Sequence, residues 1–186
     1  AIPEARRALE DVGLVDEVDL VVAGGIRNGG DVAKCLALGA KACAIGTAAL
    51  MALNCNKHIE GVTDYEGTIG VPAGECYHCH TGRCPVGIAT QDPELRARLD
   101  VDEAALRVYN FLHTLTMEVQ LLARACGKTN IHNLEPEDLA ALTHEASAMA
   151  KVPLAGTTYI PGVSEERVLA EMKEMLAKQI AGSNSN

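Results

Sequence analysis

Two short, largely apolar runs, each followed at once by a glycine, constrain the fold of this chain more than any other feature. The first run covers residues 18–23 and the second covers residues 42–45. Between them, residues 31–39 have the pattern of a short helix, with an acidic residue in its first turn and glycine at its end. A strand, a helix and a second strand in this order predict two parallel strands joined by a right-handed crossover. The sequence therefore predicts an α/β fold.

The residues at the two strand ends suggest a binding role. Gly24 and Gly25 follow the first run, and Gly46 and Thr47 follow the second. Small residues at the carboxyl ends of neighbouring parallel strands let backbone N–H groups approach a ligand closely, and the next helix adds the positive end of its dipole. Plain tight turns also use glycine, which is the alternative explanation. Two such ends in this order and spacing predict a cradle for a phosphate group.

Residues 23–47 resemble the last two β/α units of barrel enzymes that bind flavin mononucleotide (FMN). They also resemble inosine monophosphate dehydrogenases, which hold a nucleotide phosphate in the same way, so the motif alone does not identify the nucleotide. The resemblance implies a (β/α)8 barrel of which this chain carries the last two units. It also implies that five residues hold the phosphate: Gly24, Gly25, Arg27, Gly46 and Thr47.

A cysteine-rich loop follows these units. Three of the chain's seven cysteines, Cys76, Cys79 and Cys84, fall within residues 76–84, and a proline follows the last. A loop bordered by glycine and proline has no periodic face on which to bury three thiols. With no recognisable export signal, we expect the thiols to be reduced and not joined in disulfides. The spacing resembles iron–sulfur loops and predicts a 3Fe-4S cluster, or a 4Fe-4S cluster with its fourth ligand elsewhere.

Other interpretations of the loop remain open. Zinc is one, because His78 or His80 would complete four ligands, although the usual second ligand pair at a distance is missing. Haem attachment is another, because residues 76–80 satisfy the C-x-x-C-H pattern, but it requires export. A loop of unmetallated thiols is the last. We expect the remaining cysteines to be buried apolar residues and not ligands: Cys35, Cys43, Cys55 and Cys126.

Residues 79–95 resemble the iron–sulfur segment of the glutamate synthase large subunit, in its shorter, archaeal-like form. In that family the segment directly follows the flavin barrel, as it does here, and the resemblance covers about residues 18–155. The bacterial and plant-type enzymes place five residues between the first two cluster cysteines, whereas two residues separate Cys76 from Cys79. Cys79 and Cys84 therefore match the family spacing, and Cys76 departs from it.

This resemblance implies an oxidoreductase that acts on CH–NH2 donors. The iron–sulfur cluster would pass electrons to FMN, for the reductive synthesis of L-glutamate from 2-oxoglutarate and glutamine-derived ammonia. It identifies no catalytic side chain in these residues. One alternative is an N-methylglutamate synthase-type relative, and another is a zinc-stabilised nucleotide-phosphate-binding module without redox activity. A purely structural docking subunit is the third.

The predicted unit is incomplete by itself. Two β/α units cannot close an eight-stranded barrel, and parallel strands are normally covered on both faces. We therefore expect a fragment or one part of a larger active unit, with Ala1 not the natural start. The implied partners are the remaining barrel, a glutaminase or other ammonia-supplying domain or subunit, and an electron-donor subunit or ferredoxin.

Charge and hydropathy limit the other partners. The formal net charge is −9 and no stripe of lysine and arginine is present, so nucleic acid is excluded as an expected partner. The apolar runs are too short to span a bilayer, and we expect a cytoplasmic protein.

The rest of the chain has helical patterns. Asp102 is the expected N-cap of an amphipathic helix over residues 103–126, a second helix begins at Pro136 and runs to about residue 150, and Ser164 caps a third. The stripe of the first helix is Val108, Leu112, Leu115, Val119 and Leu122. The predicted regions are residues 1–57 (barrel end), 58–99 (cysteine loop), 100–150 (helices), 151–163 (linker) and 164–186 (C-terminal helix and disordered tail).

Overall fold

The computed structural model describes residues 1–72, residues 75–162 and Lys173, and it divides them into two compact units. The larger unit holds residues 19–36 and 40–134. The smaller unit holds residues 1–18, residues 37–39 and the chain from residue 135 onward. The predicted helix after Ser164 and the predicted disordered tail lie outside the described residues.

The regular elements alternate between strand and helix early in the chain and are helical afterwards. In chain order they are α1 (Ile2–Asp11), β1 (Val21–Ala23), α2 (Gly29–Ala37), β2 (Ala42–Ala44), α3 (Thr47–Ala52), α4 (Tyr65–Ile69), α5 (Pro93–Arg96), α6 (Val101–Ala125) and α7 (His144–Ala150). Short 3-10 helices cover His78–Thr81, Ile131–Asn133 and Pro136–Asp138. The sequence analysis identifies neither α4 nor α5, which are among the shortest helices.

The predicted strand, helix and parallel strand are confirmed. β1 and β2 pair in parallel, with Val22 opposite Cys43, and α2 connects them. Each strand has three residues, so both are shorter than predicted. The architecture of the described residues is α/β and is compatible with part of a barrel.

The two strands are largely exposed. Val21 is 64% exposed, and only the middle residue of each strand, Val22 or Cys43, is partly buried. Each strand has a single strand neighbour in the described part of the chain, whereas parallel strands are normally covered on both faces.

Helix α6 is the longest element of the larger unit. Its N-cap is Asp100 and not Asp102, because the Asp100 carboxylate accepts the backbone N–H of Glu103 at 3.0 Å. Gly127 follows the helix with a φ of 76°, a conformation that favours glycine and ends the helix. None of the described helices, α6 included, is both long enough and apolar enough to cross a membrane.

The buried face of α6 differs in part from the predicted stripe. Leu115 and Val119 are buried, as predicted. Leu112 and Leu122 are 42% and 40% exposed, so their assignment to the core is wrong. Two alanines complete the buried face instead, Ala104 and Ala123. Small side chains suit this face because they let a neighbouring helix approach closely, and α6 packs against α3.

In the smaller unit, the predicted continuous helix over residues 136–150 is wrong. Pro136–Asp138 forms one 3-10 turn, and α7 begins only at His144. Between them, Ala141 makes a parallel β-bridge with Leu154 and donates its N–H to the carbonyl oxygen of Pro153 at 2.8 Å. This pairing with a distant segment satisfies backbone groups that a local helix would otherwise use. Residues 151–162 are irregular, as predicted.

Candidate functional site

A cavity of about 910 Å³ lies at the carboxyl ends of the two strands. Five residues that line it are those predicted to hold a phosphate: Gly24, Gly25, Arg27, Gly46 and Thr47. They converge because β1 and β2 are parallel neighbours in register, so the residues after each strand meet at one edge of the sheet. Helix α6 adds Phe111, the only phenylalanine of the chain, to the wall.

The glycines of this cavity leave its wall without side chains. Gly24 and Gly25 have φ angles of 106° and 71°, which side chains rarely tolerate. A Cβ atom on Gly24, Gly25 or Gly46 would meet no heavy atom within 4 Å. The space in front of this backbone is therefore free for a ligand, and the residues fit the phosphate end of a nucleotide cofactor.

Arg27 supplies a positive charge at this cavity. Its guanidinium Nε lies 3.0 Å from the Asp31 carboxylate, one turn into α2. The hydrogen bond from Arg27 is the main reason why the pKa of Asp31 is lowered, and its pairing with Asp31 raises the pKa of Arg27. The Arg27 side chain remains 77% exposed, so the ion pair leaves it accessible to an anion.

At the start of α2, two N–H groups already have acceptors. The N–H of Gly29 donates to the Glu118 carboxylate of α6 at 2.7 Å, and the N–H of Asp31 donates to Asn28 Oδ1 at 3.0 Å. A carboxylate therefore complements the dipole of α2. These two N–H groups are not free donors for a phosphate. Glu118 was not predictable, because nothing in the local sequence pairs it with a residue 89 positions away.

The cysteine loop presents one deeply placed thiol, Cys84, which is 5% exposed. Burial raises the pKa of this thiol, but four backbone N–H groups that donate to its sulfur lower it, and the net shift is downward. The donors follow directly in sequence: Val86, Gly87, Ile88 and Ala89. A sulfur surrounded by N–H groups is prepared to carry the negative charge of a metal ligand.

The turn that holds Cys84 is fixed from both sides. Thr90, which is buried, donates its hydroxyl to the carbonyl oxygen of Gly82 and accepts the N–H of Asp92 at 3.1 Å. Gly87 has a φ of 85°, and a Cβ there would lie 2.5 Å from the carbonyl oxygen of Leu95. Thr90 and Gly87 therefore restrict the conformation of the loop. Neither role was predicted from the sequence.

A fourth cysteine borders the same cavity as one of the predicted ligands. Cys55 and Cys76 both line a cavity of about 170 Å³. Cys55 is half-buried. Burial, followed by the charges of Cys79, Cys84 and Cys76, raises its pKa.

Of the two histidines in the zinc alternative, His78 has one ring nitrogen engaged. Nε2 of His78 lies 2.6 Å from the carbonyl oxygen of Ile69 and therefore donates a hydrogen there. That nitrogen cannot bind a metal, whereas Nδ1 of the same ring could, since a metal-bound histidine usually donates its other N–H in this way. Among the described residues, no three cysteine, histidine or acidic side chains are close enough to hold a single metal ion.

The remaining cysteines lie apart from the loop. Burial, with a contribution from Cys35, raises the pKa of Cys43 to about 11, and the two thiols share a hydrogen bond. Both are half-buried, which agrees with a packing role. Cys126, at the end of α6, is exposed, so its predicted burial is wrong.

The fold and the site together define an α/β unit with a glycine-walled cavity at its strand ends and a cluster of thiols in the loop that follows. The chain belongs to the glutamate synthase family, because the family model described as the conserved region in glutamate synthase matches residues 1–129.

Curated relatives agree with this assignment. A glutamate synthase large subunit-like protein of Rhizobium meliloti is 56% identical over 162 residues, which are 87% of this chain and 36% of the relative. An archaeal glutamate synthase [NADPH] of Methanocaldococcus jannaschii is 40% identical over 134 residues, 72% of this chain and 23% of the relative. A ferredoxin-dependent glutamate synthase of Pyropia yezoensis is 33% identical over 119 residues, 63% of this chain and 7% of the relative. The chain thus spans about a third or less of the length of these relatives.

Proposed function

We propose that this chain supplies the flavin-phosphate and iron–sulfur part of a glutamate synthase. The observation that carries the proposal is the presence, in one compact unit, of the glycine-walled cavity and of the cysteine loop that follows it. The family membership supports the reaction that we propose for the whole enzyme, the reductive synthesis of L-glutamate from 2-oxoglutarate and glutamine-derived ammonia.

The glycine-walled cavity is the proposed FMN site. Backbone N–H groups of Gly24, Gly25, Gly46 and Thr47 would bind the phosphate, and Arg27 would neutralise part of its charge. Asp31 holds the Arg27 guanidinium through the 3.0 Å contact and so positions it at the cavity. Phe111 closes one wall and limits the access of water.

The cysteine loop is the proposed iron–sulfur site. Cys76, Cys79 and Cys84 are the ligands predicted from the sequence, and we propose Cys55, which lines one cavity with Cys76, as the fourth. Four thiolates suit a 4Fe-4S cluster, which we prefer to the 3Fe-4S alternative.

The two cofactors would supply electron transfer and hydride chemistry, and the residues of this chain place them. The other requirements of the reaction lie outside these residues. We propose that the remaining barrel strands, an ammonia-supplying domain or subunit and an electron-donor subunit or ferredoxin complete the enzyme. Thiols that serve as ligands must stay reduced, and on that ground we place the protein in the cytoplasm.

Metal analysis of cysteine variants tests this proposal. Anaerobically purified protein should contain about four iron atoms and matching acid-labile sulfide per chain. Replacing Cys55, Cys76, Cys79 or Cys84 by serine, one at a time, should remove most of the iron and the visible absorption. Iron, zinc and sulfide are measured on each variant.

Two matched controls carry the same Cys→Ser change away from the loop. Cys126→Ser and Cys35→Ser should retain full iron and sulfide, since neither residue is among the proposed ligands. One zinc and no sulfide in the unmodified protein would contradict the proposal. Full iron content in Cys55→Ser would limit the ligands to the three residues predicted from the sequence.

A further inference from the structure

Two cationic side chains connect the segments that carry Cys55 and Cys84. The Lys57 ammonium donates to the backbone carbonyl oxygen of Arg98 at 2.9 Å, and Nη1 of Arg98 donates to the carbonyl oxygen of Pro85 at 2.9 Å. Lys57 lies two residues after Cys55, and Pro85 directly follows Cys84. Residue 98 therefore bridges two stretches that are about 30 positions apart in sequence.

The charges of this bridge are not neutralised by acidic neighbours. Neither Lys57 nor Arg98 forms an ion pair with a carboxylate of the described residues. Two acidic residues border a small cavity beside Lys57, but both have other partners: Asp100 caps α6, and Glu103 pairs with Arg107 at 2.6 Å. The two positive charges are thus available to the site that they adjoin.

Lys57 also borders a cavity beside the cysteine segments. It lines the cavity of about 170 Å³ that Cys55, Cys76 and Pro85 line. Lysine and arginine lose side-chain freedom when they are held on backbone carbonyl groups. Attraction to a negatively charged thiol cluster would offset this loss of side-chain freedom, because opposite charges attract strongly in a partly buried site.

We propose that Lys57 and Arg98 are positioning residues of the iron–sulfur site, which fasten the Cys55 and Cys84 segments together and place two positive charges beside the thiolates. The proposed effect of the two positive charges on the cluster rests on the proposed function, whereas the fastening of the two segments does not. Electron uptake makes a cluster more negative, so nearby cations favour the reduced form and raise the reduction potential.

The first experiment measures hydrogen exchange in the full protein before cluster loading. Arg98→Met and Lys57→Met each remove one hydrogen bond of the bridge. For Arg98→Met we expect exchange about five- to tenfold faster at the backbone amides of residues 84–89. For Lys57→Met we expect the same increase at the backbone amides of residues 55–60. Arg96→Met is the matched control, because the Arg96 side chain has no hydrogen bond or ion pair among the described residues. Circular dichroism confirms that each variant is folded. Exchange equal to that of Arg96→Met would overturn the fastening role.

The second experiment measures the reduction potential of the loaded cluster by redox titration followed by electron paramagnetic resonance. Lys57→Met and Arg98→Met should shift the potential to more negative values, and the charge-conserving Lys57→Arg and Arg98→Lys should restore most of it. Potentials equal to that of Arg96→Met, in variants that keep their cluster, would overturn the charge role alone. If the unmodified protein takes up no cluster, the proposed function fails together with the charge role, and the exchange measurement still decides the fastening role.

Discussion

At the level of single residues, the glycines of the larger unit serve two different purposes. Gly24 has a positive φ and open space before it, which suits a ligand-binding wall. Gly29 instead lies where two helices meet, because a Cβ there would be 2.6 Å from the carbonyl oxygen of Leu115 and 2.9 Å from the N–H nitrogen of Val119. The sequence shows both as glycines next to a predicted strand or helix, and only the contacts separate their roles.

Gly29→Ala should destabilise the protein by about 1–3 kcal/mol, because the added methyl group would press on the backbone of α6, which cannot move aside as a side chain can. Urea unfolding measures the change. Gly30→Ala is the matched control, since it meets only the Asn28 side chain, at 3.2 Å. There we expect a neutral or slightly stabilising effect, because alanine favours a helix more than glycine. Equal stability of both variants would contradict the close packing of α2 on α6.

At the level of elements, helices begin where a side chain can accept their first free N–H groups. Asp100 does so for α6 and Thr143 does so for α7, whose N–H at Ala146 donates to the Thr143 hydroxyl at 3.1 Å. Neither the Thr143 cap nor the β-bridge of Ala141 with Leu154 was predicted. The predicted helix over residues 136–150 ran through Thr143, and the bridge joins segments that no local pattern relates.

Thr143→Ala should cost about 1 kcal/mol of stability, because it leaves an N–H group at the start of α7 without its acceptor. We also expect faster hydrogen exchange of the backbone N–H of Ala146, which nuclear magnetic resonance measures. Thr143→Ser keeps the hydroxyl and should preserve protection. Unchanged exchange at Ala146 in Thr143→Ala would show that the cap does not hold the helix start.

At the level of the whole molecule, the exposed strands limit the contacts that these 186 residues could make with a flavin by themselves. Val21 is 64% exposed, and in the described part of the chain only two strands of a parallel sheet border the cavity at the strand ends. The chain also spans 36% of its Rhizobium meliloti relative. A flavin bound here would have contacts at its phosphate end and few at its ring.

These 186 residues alone should therefore bind FMN weakly, at least about 100-fold more weakly than a complete protein that contains them. Titration followed by flavin fluorescence measures both affinities. Arg27→Met should reduce the weak binding further, because it removes a cation at the phosphate end, while Arg96→Met serves as the control. Tight binding of one FMN by the isolated residues would contradict this prediction.

Much of the fold and part of the site could be predicted from the sequence. The parallel β-α-β unit followed from apolar runs and glycines. Four of the five cavity residues followed from their position after each strand, and Arg27 followed from the family resemblance. The thiols at Cys76, Cys79 and Cys84 are visible as a spaced motif. Cys55, Glu118 and Phe111 were missed as site residues, since each reaches its place through packing between distant segments.

The sequence by itself determined the order of the elements, the residues at the strand ends and the thiols of the loop, because these depend on neighbours within a few positions. Tertiary structure alone decided which partners meet: Glu118 at the start of α2, and Cys55 beside the loop. Lys57 and Arg98 meet between the cysteine segments in the same way. The physical reason is that burial and short-range hydrogen bonds depend on distances in space, which local propensity does not specify.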